Sequence, residues 1–407
     1  MRRAALCAAL AVVLAPSSAG AQSLSLTESD ALARLSTDSP RVRAIRAEVD
    51  VARVDVLAAA RWPNPQPSVT RESVAGVTEY LTTVSQLLPI TGRRGLDIQA
   101  ASARVSATSS RVDDEVRRLR ADLRLAFGDL LAAQAREREL TAALARLRSL
   151  SGILATREAA GDAAGFDRLR AEREVLDLES DLVVAETERA RAQATLAAFL
   201  TGVSDPGQIV AVGGPVSSGA EPEVDALLEQ AESTRGELIA LRQEIEAAGL
   251  AARAAGRRLV PEPEIVAGTK SSSTAGGGVG SVVAVRATIP LFDRARPERA
   301  LAAARAAQAE ARAAAFRAVL RGELTALREA VIRLRAAAER YRSEAVSSAA
   351  EIERIAQISY DAGERGILEL LDAYRIGASA RLRQAALDLA VRKAEIELAF
   401  ASGWEMP

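Results

Sequence analysis

The 407-residue sequence carries 53 Lys and Arg against 54 Asp and Glu, so no net charge attracts it to nucleic acid or to a membrane surface. It contains no His, which removes the commonest general base and the commonest metal ligand, and its one Cys is Cys7. Aromatic residues make up only 3%, and Ala, Leu, Arg and Glu dominate, which is typical of long packed helices.

The N-terminus predicts a secretory signal peptide over residues 1–21. Arg2-Arg3 begins it, an apolar stretch covers Ala4–Leu14, and the small residues Ala19–Ala21 fit a cleavage site. We therefore expect export. Cys7 lies too early in the apolar stretch to become a lipidated mature N-terminus, so no lipid anchor is expected. After residue 21 no stretch approaches the ~20 apolar residues of a membrane-spanning helix, so a crossing would need β-strands.

The following residues predict a helix and then two strands. The helix begins near Thr27, has a break near Ser39-Pro40 and ends before Pro63. The strands are predicted at about 66–74 and 77–88, and each has the ~10 residues of a tilted membrane strand. Taken alone these runs favour ordinary hairpins, because the signal of a single membrane strand is weak.

A proline-free helical pattern then covers Gly92 to Ala160. Such a helix would be a rod of about 100 Å, since each residue adds about 1.5 Å. The glycine-marked turn Gly161–Gly165 ends it, and a returning helix is predicted from Phe166 to Leu200. A rod of this length has no use in a small globule, so it must pack side by side with other rods.

The same order of elements recurs in the second half of the chain. Three landmarks repeat: Pro63-Asn64-Pro65 as Pro261-Glu262-Pro263, Leu88-Pro89-Ile90 as Ile289-Pro290-Leu291, and Gly161-Asp162 as Gly363-Glu364. Strands are accordingly predicted at about 263–270 and 281–290, with a rod from Pro297 to Ala362 and a returning helix from Ile367 to Phe400. The sequence thus predicts a first structural repeat at 22–203, a linker at 204–222 and a second repeat at 223–407.

Motifs of chemistry are missing. The sequence has no phosphate-binding glycine loop, no Gly-x-Ser-x-Gly and no cluster of metal ligands. Glu172 and Glu174 lie on a charged helix, where solvated or ion-paired roles are favoured over acid–base catalysis. We predict no enzymatic activity, no cofactor and no metal site.

The glycine turns and a strand-to-helix junction carry a resemblance to a known family. Ser359 to Ala373, SYDAGERGILELLDA, closely resembles the periplasmic-tip signature of TolC-family outer-membrane efflux proteins, and Arg157 to Leu169 is a looser copy. Thr78–Tyr80 followed by Ser85 to Gly95, SQLLPITGRRG, resembles the strand-to-helix junction of this family. It looks most like the branch that serves heavy-metal efflux pumps of the cobalt–zinc–cadmium type.

The resemblance implies a mainly α fold with a small β part, in which a helix-strand-strand-helix-helix repeat is duplicated. It implies a homotrimer whose strands form a β-barrel in contact with outer-membrane lipid, and whose rods form a long periplasmic α-helical barrel. The expected location is the outer membrane of a Gram-negative bacterium, with extension into the periplasm.

The resemblance also implies roles for residues at the turns. Glu369 and Asp372 match acidic positions that ring the closed aperture. Asp167, Tyr360 and Arg365 match residues that lock the tip, although Phe166 stands where a hydroxyl residue can join this lock. The candidate contact surface for an adaptor comprises Gly161, Gly165, Gly363, Gly366 and Leu368. Without the resemblance, the same residues would favour a charged, solvated helix–turn–helix.

The function implied is that of an outer-membrane exit duct in a tripartite efflux system. Its partners would be a periplasmic adaptor protein and an inner-membrane pump, and its cargo small solutes such as heavy-metal cations. A type I secretion or multidrug duct of the same fold is one alternative. A periplasmic coiled-coil adaptor or scaffold is an alternative of another class.

Overall fold

The computed structural model describes residues 23–35, 39–161, 165–214, 222–274 and 276–403. The predicted signal peptide at 1–21 and residues 215–221 of the predicted linker lie outside these ranges. The elements of the first half are β1 (Leu24–Leu26), α1 (Glu28–Arg34), α2 (Pro40–Ala60), β2 (Gln66–Val74), β3 (Val77–Leu87), α3 (Arg93–Ala159), α4 (Gly165–Ala197) and β4 (Ile209–Ala211).

The second half repeats this order without the two shortest strands. Its elements are α5 (Val224–Thr234), α6 (Gly236–Arg257), β5 (Pro263–Ser272), β6 (Val279–Ala287), α7 (Arg296–Arg340), a π-helical turn (Tyr341–Val346), α8 (Ser347–Asp361) and α9 (Ile367–Ser402). The expected fold class, mainly α with a small β part and a duplicated repeat, is confirmed.

The first helix is divided where the sequence predicted a break. Thr27 begins α1 with a capping box, in which its hydroxyl accepts from the Asp30 backbone N–H while the Asp30 carboxylate accepts from the Thr27 N–H. Ser39 caps α2, and Pro40 at the first helical position costs no hydrogen bond. Two local caps therefore stabilise two helix starts within one amphipathic stretch.

The predicted linker at 204–222 contains a strand that the sequence did not predict. Within it β4 pairs in parallel with β1, and both strands have only three residues, too few for alternation to be detected. Two buried glutamines satisfy the backbone of β4. The Gln134 side chain accepts from the Ala211 N–H at 2.9 Å and donates to its carbonyl at 3.1 Å, and Gln193 donates to the Ile209 carbonyl at 2.8 Å.

The other four strands form one antiparallel sheet in the order β2-β3-β5-β6. The central pairing, β3 with β5, joins the hairpin of the first repeat to that of the second. Among the described residues β2 and β6 pair on one side only, so both edges of this sheet present free backbone N–H and C=O groups.

The two rods differ in how continuous they are. The first rod, α3, is a single helix of 67 residues. The second rod consists of α7, the π-helical turn and α8, and the six-residue π-helical turn separates two regular α-helical parts. The sequence predicted both rods as uninterrupted helices.

The π-helical turn accounts for a one-residue difference between the repeats. On the strand side of this turn, the buried residues Leu123 and Leu324 are 201 positions apart, as are Leu130 and Val331. After this turn in the chain, the buried residues Leu196 and Leu398 of the returning helices are 202 apart. A π-helical turn holds one residue more than the α-helical turn it replaces, so the extra residue is absorbed without rotating the distal part of the rod.

Buried apolar residues lie in separate clusters along the rods and do not form one central core. One cluster surrounds Phe127 near β1 and β4, another joins α5, α6, α7 and α9 around Leu324, and a third lies at the glycine turns. Since α3 packs against α2, α4, α6 and α9, it is the element that connects the two repeats.

Charged pairs follow the contact between α3 and α9. Arg118 donates to both carboxylate oxygens of Glu397, at 2.6 and 2.9 Å, and Lys393 lies 2.6 Å from Asp129. The hydrogen bonds to Glu397 raise the pKa of Arg118 above its ordinary value. This effect is larger than that of burial, which lowers the pKa. Each pair is half-exposed and therefore contributes modestly to the stability of the contact between the two helices.

None of the described helices is long and apolar enough to span a membrane.

The π-helical turn predicts unequal effects of two matched deletions. Deleting Glu344 should leave a continuous α-helix and lower the thermal midpoint by no more than about 4 °C. Deleting Ala142, the equivalent position in α3, should rotate everything beyond it by about 100° and lower the midpoint by more than about 10 °C. Circular dichroism melts of the two purified variants would measure this. Equal losses would show that the extra residue is not held in the π-helical turn.

Candidate functional site

The two glycine turns lie at one end of the rods, which we call the tip. In the second turn, Gly363 has a φ of +73° that L-residues rarely adopt. The backbone N–H groups of Gly363 and Glu364 donate to the carbonyls of Tyr360 and Ser359, at 3.0 and 2.9 Å, and so satisfy the end of α8. Gly161 has a φ of +85° at the corresponding position of the first turn. Both glycines are therefore required by the turn geometry.

An apolar cluster beneath the turns holds the two helix hairpins together. It combines residues of α3, α4, α8 and α9: Leu147, Leu150, Leu154, Ala171, Ala356, Tyr360, Ile367, Leu370, Leu371 and Ala373. Next to it, burial raises the pKa of Tyr374, whose hydroxyl donates to the Gln357 side chain. The tip is thus a packed unit and not a pair of independent loops.

Tyr360, one of the predicted lock residues, is buried within this cluster at 8% exposure. Its hydroxyl accepts a hydrogen bond from Nη1 of Arg157 at 3.3 Å, and the Arg157 guanidinium lies 5.4 Å from the centre of its ring. Arg157 belongs to α3, so this contact fastens the first hairpin to the second. The sequence analysis missed Arg157 as a partner, although its place in the last turn before Gly161 was the available signal.

Asp167 and Arg365, the other predicted lock residues, lie at the same end. Asp167 is half-buried in the first turn of α4, and Arg365 is exposed in the turn before α9. Within the described part of this chain, neither side chain has a hydrogen bond or an ion pair. The structure of one chain therefore brings Tyr360 to Arg157 and does not bring it to Asp167 or Arg365.

The two predicted aperture residues lie on one exposed face of α9. Glu369 and Asp372 are three residues apart in the first two turns, and both are exposed. The Glu369 carboxylate folds back toward Gly366, since one of its oxygens is 3.3 Å from where a Cβ of that residue would lie. The positive end of the helix dipole favours a carboxylate at this position.

A charged clasp that the sequence analysis did not predict closes the first hairpin. Arg168 of α4 pairs with Glu158 of α3 and, at 2.6 Å, with Glu172 one turn further along α4. The hydrogen bonds to Glu172 and Glu158 raise the pKa of Arg168. A Cβ on Gly165 would lie 2.6 Å from a carboxylate oxygen of Glu158, so the small residue leaves room for the clasp.

The five predicted adaptor-contact residues all lie at the tip. Gly161, Gly363 and Gly366 are exposed, Gly165 is half-buried beside the clasp, and Leu368 is 44% exposed at the start of α9. Phe166 and Leu169 of the first hairpin are exposed as well, at 65% and 59%. The end of the rods therefore presents apolar side chains together with accessible backbone.

The Arg157–Tyr360 contact predicts a graded effect of substitution on the tip. Tyr360→Phe removes one hydrogen bond, from the guanidinium to the hydroxyl, and keeps the ring under the guanidinium, whereas Arg157→Ala removes both contacts. Hydrogen exchange in residues 358–371 should accelerate by about fivefold in Arg157→Ala, equivalent to about 1 kcal/mol, and by less in Tyr360→Phe.

Arg354→Ala is the matched control, because Arg354 pairs only within α8, with Glu351. Exchange that is equally fast in the control and in Arg157→Ala would show that the contact does not hold the tip.

Comparison with known proteins finds a similarity over the second half of the chain. A family model described as outer membrane efflux protein matches residues 227–404. No curated protein is similar enough in sequence to count as a relative.

Solved structures match over most of the chain. A membrane protein from Pseudomonas aeruginosa has a TM-score of 0.77 at 20% identity, covering 92% of this chain and 93% of that one. The channel protein CusC has a TM-score of 0.74 at 18% identity, covering 92% and 91%. The outer membrane protein VceC from Vibrio cholerae has a TM-score of 0.73 at 17% identity, covering 92% and 96%. Residues 227–404 are thus similar to the family of outer membrane efflux proteins, and 92% of the chain has the fold of these solved structures.

Proposed function

We propose that this protein is the outer-membrane channel, or exit duct, of a tripartite efflux system and that it performs no chemistry. The observation that carries the proposal is the position of a four-stranded sheet with two free edges at one end of rods of about 100 Å, with the glycine turns at the other. The family match supports it, since outer membrane efflux proteins are transport ducts and not enzymes.

The free sheet edges support a homotrimer. In lipid an unpaired strand edge is too costly to persist, because no water replaces the missing hydrogen bonds. Pairing β2 of one copy with β6 of the next satisfies both edges, and three copies give twelve strands in a closed barrel. The rods of the three copies then lie side by side across the periplasm. This arrangement disfavours the rival class, a periplasmic adaptor or scaffold, for which the sheet has no use.

At the tip we propose a gate. Tyr360 with Arg157 fastens the two hairpins of one chain, while Arg365 and Asp167 are available for contacts with the neighbouring copy. Glu369 and Asp372 would then form two rings of three carboxylates that favour cations. The exposed residues Gly161, Gly363, Gly366 and Leu368, with Gly165 beside them, would meet the hairpins of a periplasmic adaptor, which connects the duct to an inner-membrane pump.

For the cargo we propose heavy-metal cations, on the resemblance of Thr78–Tyr80 and Ser85–Gly95 to the cobalt–zinc–cadmium branch. The absence of His and of a Cys after Cys7 does not oppose this, because a passive conduit needs no metal ligands. Secretion or multidrug export through the same fold is the alternative. Similarity of fold does not distinguish these cargoes, since several channel structures, CusC and VceC among them, match this chain equally well.

The duct proposal predicts heat-modifiable trimers in outer-membrane fractions. Protease sites introduced beside Gly76 and Gly277 should be cleaved from outside intact cells, because both loops lie at the sheet end away from the rods. The same site introduced at Gly363 should be protected until the outer membrane is permeabilised. Soluble periplasmic monomers would contradict the proposal.

The aperture proposal predicts a loss of cation preference in the double variant Glu369→Gln with Asp372→Asn. Reversal potentials in planar bilayers, measured in gradients of KCl and of ZnCl₂, should move toward that of a non-selective pore. Glu364→Gln, an exposed carboxylate of the same turn, is the matched control and should leave the potential unchanged. A double variant that keeps the wild-type potential in both salts would rule out the carboxylate rings.

A further inference from the structure

The two faces of the four-stranded sheet differ in polarity. Residues that are directly opposite in the strand register share a face, so the pairings of β2, β3, β5 and β6 assign every strand residue to one side. One side, which we call the apolar face, carries the exposed residues Val69, Tyr80, Val84, Ile265, Val283 and Val285. The other, the polar face, carries Thr70, Glu72, Glu79, Glu264, Lys270 and Arg286.

The single charged residue that the described strands place on the apolar face is Arg71, and its guanidinium lies 5.8 Å from the ring of Tyr80. If the sheet closes as proposed above, the apolar face must meet lipid and the polar face must line the water-filled duct. The charges of the polar face therefore act directly on solutes that pass.

These charges form two groups at opposite ends of the sheet. Near the rods, Glu264 lies directly opposite Arg286, so this group is neutral. Near the hairpin loops, Glu72 lies directly opposite Glu79, and Nζ of Lys270 lies 2.8 Å from an Oε of Glu79. Lys270 compensates one of the two carboxylates, so each chain carries one uncompensated negative charge at this end.

We propose that Glu72, Glu79 and Lys270 form an outer charge filter at the mouth of the duct, separate from the carboxylates of the tip. In this filter Lys270 and Glu79 neutralise each other, and Glu72 supplies the charge that favours cations. Three copies place three such carboxylates around the mouth, where like charges disfavour anions. The inference rests on the proposed channel function and adds a second determinant of its selectivity.

Substitutions that change the net charge in opposite directions test the filter. In planar bilayers under a KCl gradient, Glu72→Gln should lower the ratio of cation to anion permeability by about fivefold, the factor that corresponds to about 1 kcal/mol between unit charges at close range in water. Lys270→Gln should raise the ratio, because it leaves two carboxylates per chain. The double variant Glu72→Gln with Lys270→Gln carries the wild-type net charge and should return close to the wild-type permeability ratio.

Arg71→Gln is the matched control, since it removes a charge at the same level from the apolar face, and the ratio should not change. Heat-modifiable trimers of each variant would show that it has folded. Absence of conductance both in the wild-type protein and in Arg157→Ala, which loosens the proposed gate, would refute the channel itself, whereas conductance with a ratio that ignores Glu72 and Lys270 would overturn the filter alone.

Cysteine labelling tests the assignment of the faces without altering Glu72, Glu79 or Lys270. The printed sequence contains only Cys7, which lies in the predicted signal peptide, so introduced cysteines have no competitor in the mature chain. A positively charged thiosulfonate reagent should reduce the current of Thr70→Cys, on the polar face, because the attached charge repels the cations that carry most of the current, and it should not reduce that of its neighbour Val69→Cys. The opposite pattern, or no effect on either, would overturn the inference.

Discussion

Backbone hydrogen bonding at the two edges of the four-stranded sheet is the constraint on which the rest of the structure depends. Strands β2 and β6 each leave one row of N–H and C=O groups without a partner in the described chain. Water can satisfy such groups, but lipid cannot, so insertion of the sheet requires the edges to meet other edges. In the proposed channel, the need for several copies would follow from the sheet, and the side-by-side packing of the rods would follow from the copies. Such an assembly would also explain why the apolar residues lie in separate clusters along the rods, since no single chain would need a central core.

The long helices and the strands could be predicted because their signals are long or repeated. No proline interrupts the helical pattern from Gly92 to Ala160, and the landmarks at Pro89 and Pro290 locate the strand hairpin of each repeat. The contacts of the tip could not be predicted in the same way. Arg157 reaches Tyr360 across 203 positions of sequence, and the pairing depends on how two helices face each other, which periodicity does not specify.

The position of the π-helical turn could not be predicted, although the sequence shows that one residue is inserted in the second half. Pro89 and Pro290 differ by 201 positions and the tip glycines Gly161 and Gly363 by 202, so one residue had to be inserted between these landmarks in the second half. Helical periodicity alone cannot locate such an insertion, because Ala-rich helices present small residues on every face. The backbone locates it at Tyr341–Val346, where the stripe of buried residues would otherwise turn away from its neighbours.

The duplication keeps the backbone and changes how each copy is held together. On the tip side of the π-helical turn equivalent residues are 202 positions apart, so Glu158, Arg168 and Glu172 of the charged clasp correspond to Tyr360, Leu370 and Tyr374. In the first hairpin these positions form half-exposed ion pairs, which add little stability but are satisfied within the hairpin. In the second hairpin the same positions are apolar or aromatic and bury their surface in or against the cluster that joins the two hairpins. The ion-paired clasp is satisfied within the first hairpin, whereas the apolar residues of the second hairpin are buried in a cluster shared with the first, so the packing of the second hairpin depends on the first. The carboxylates of α9 are thus carried by the hairpin whose position is set by contacts between hairpins, and a change in those contacts moves the carboxylates directly.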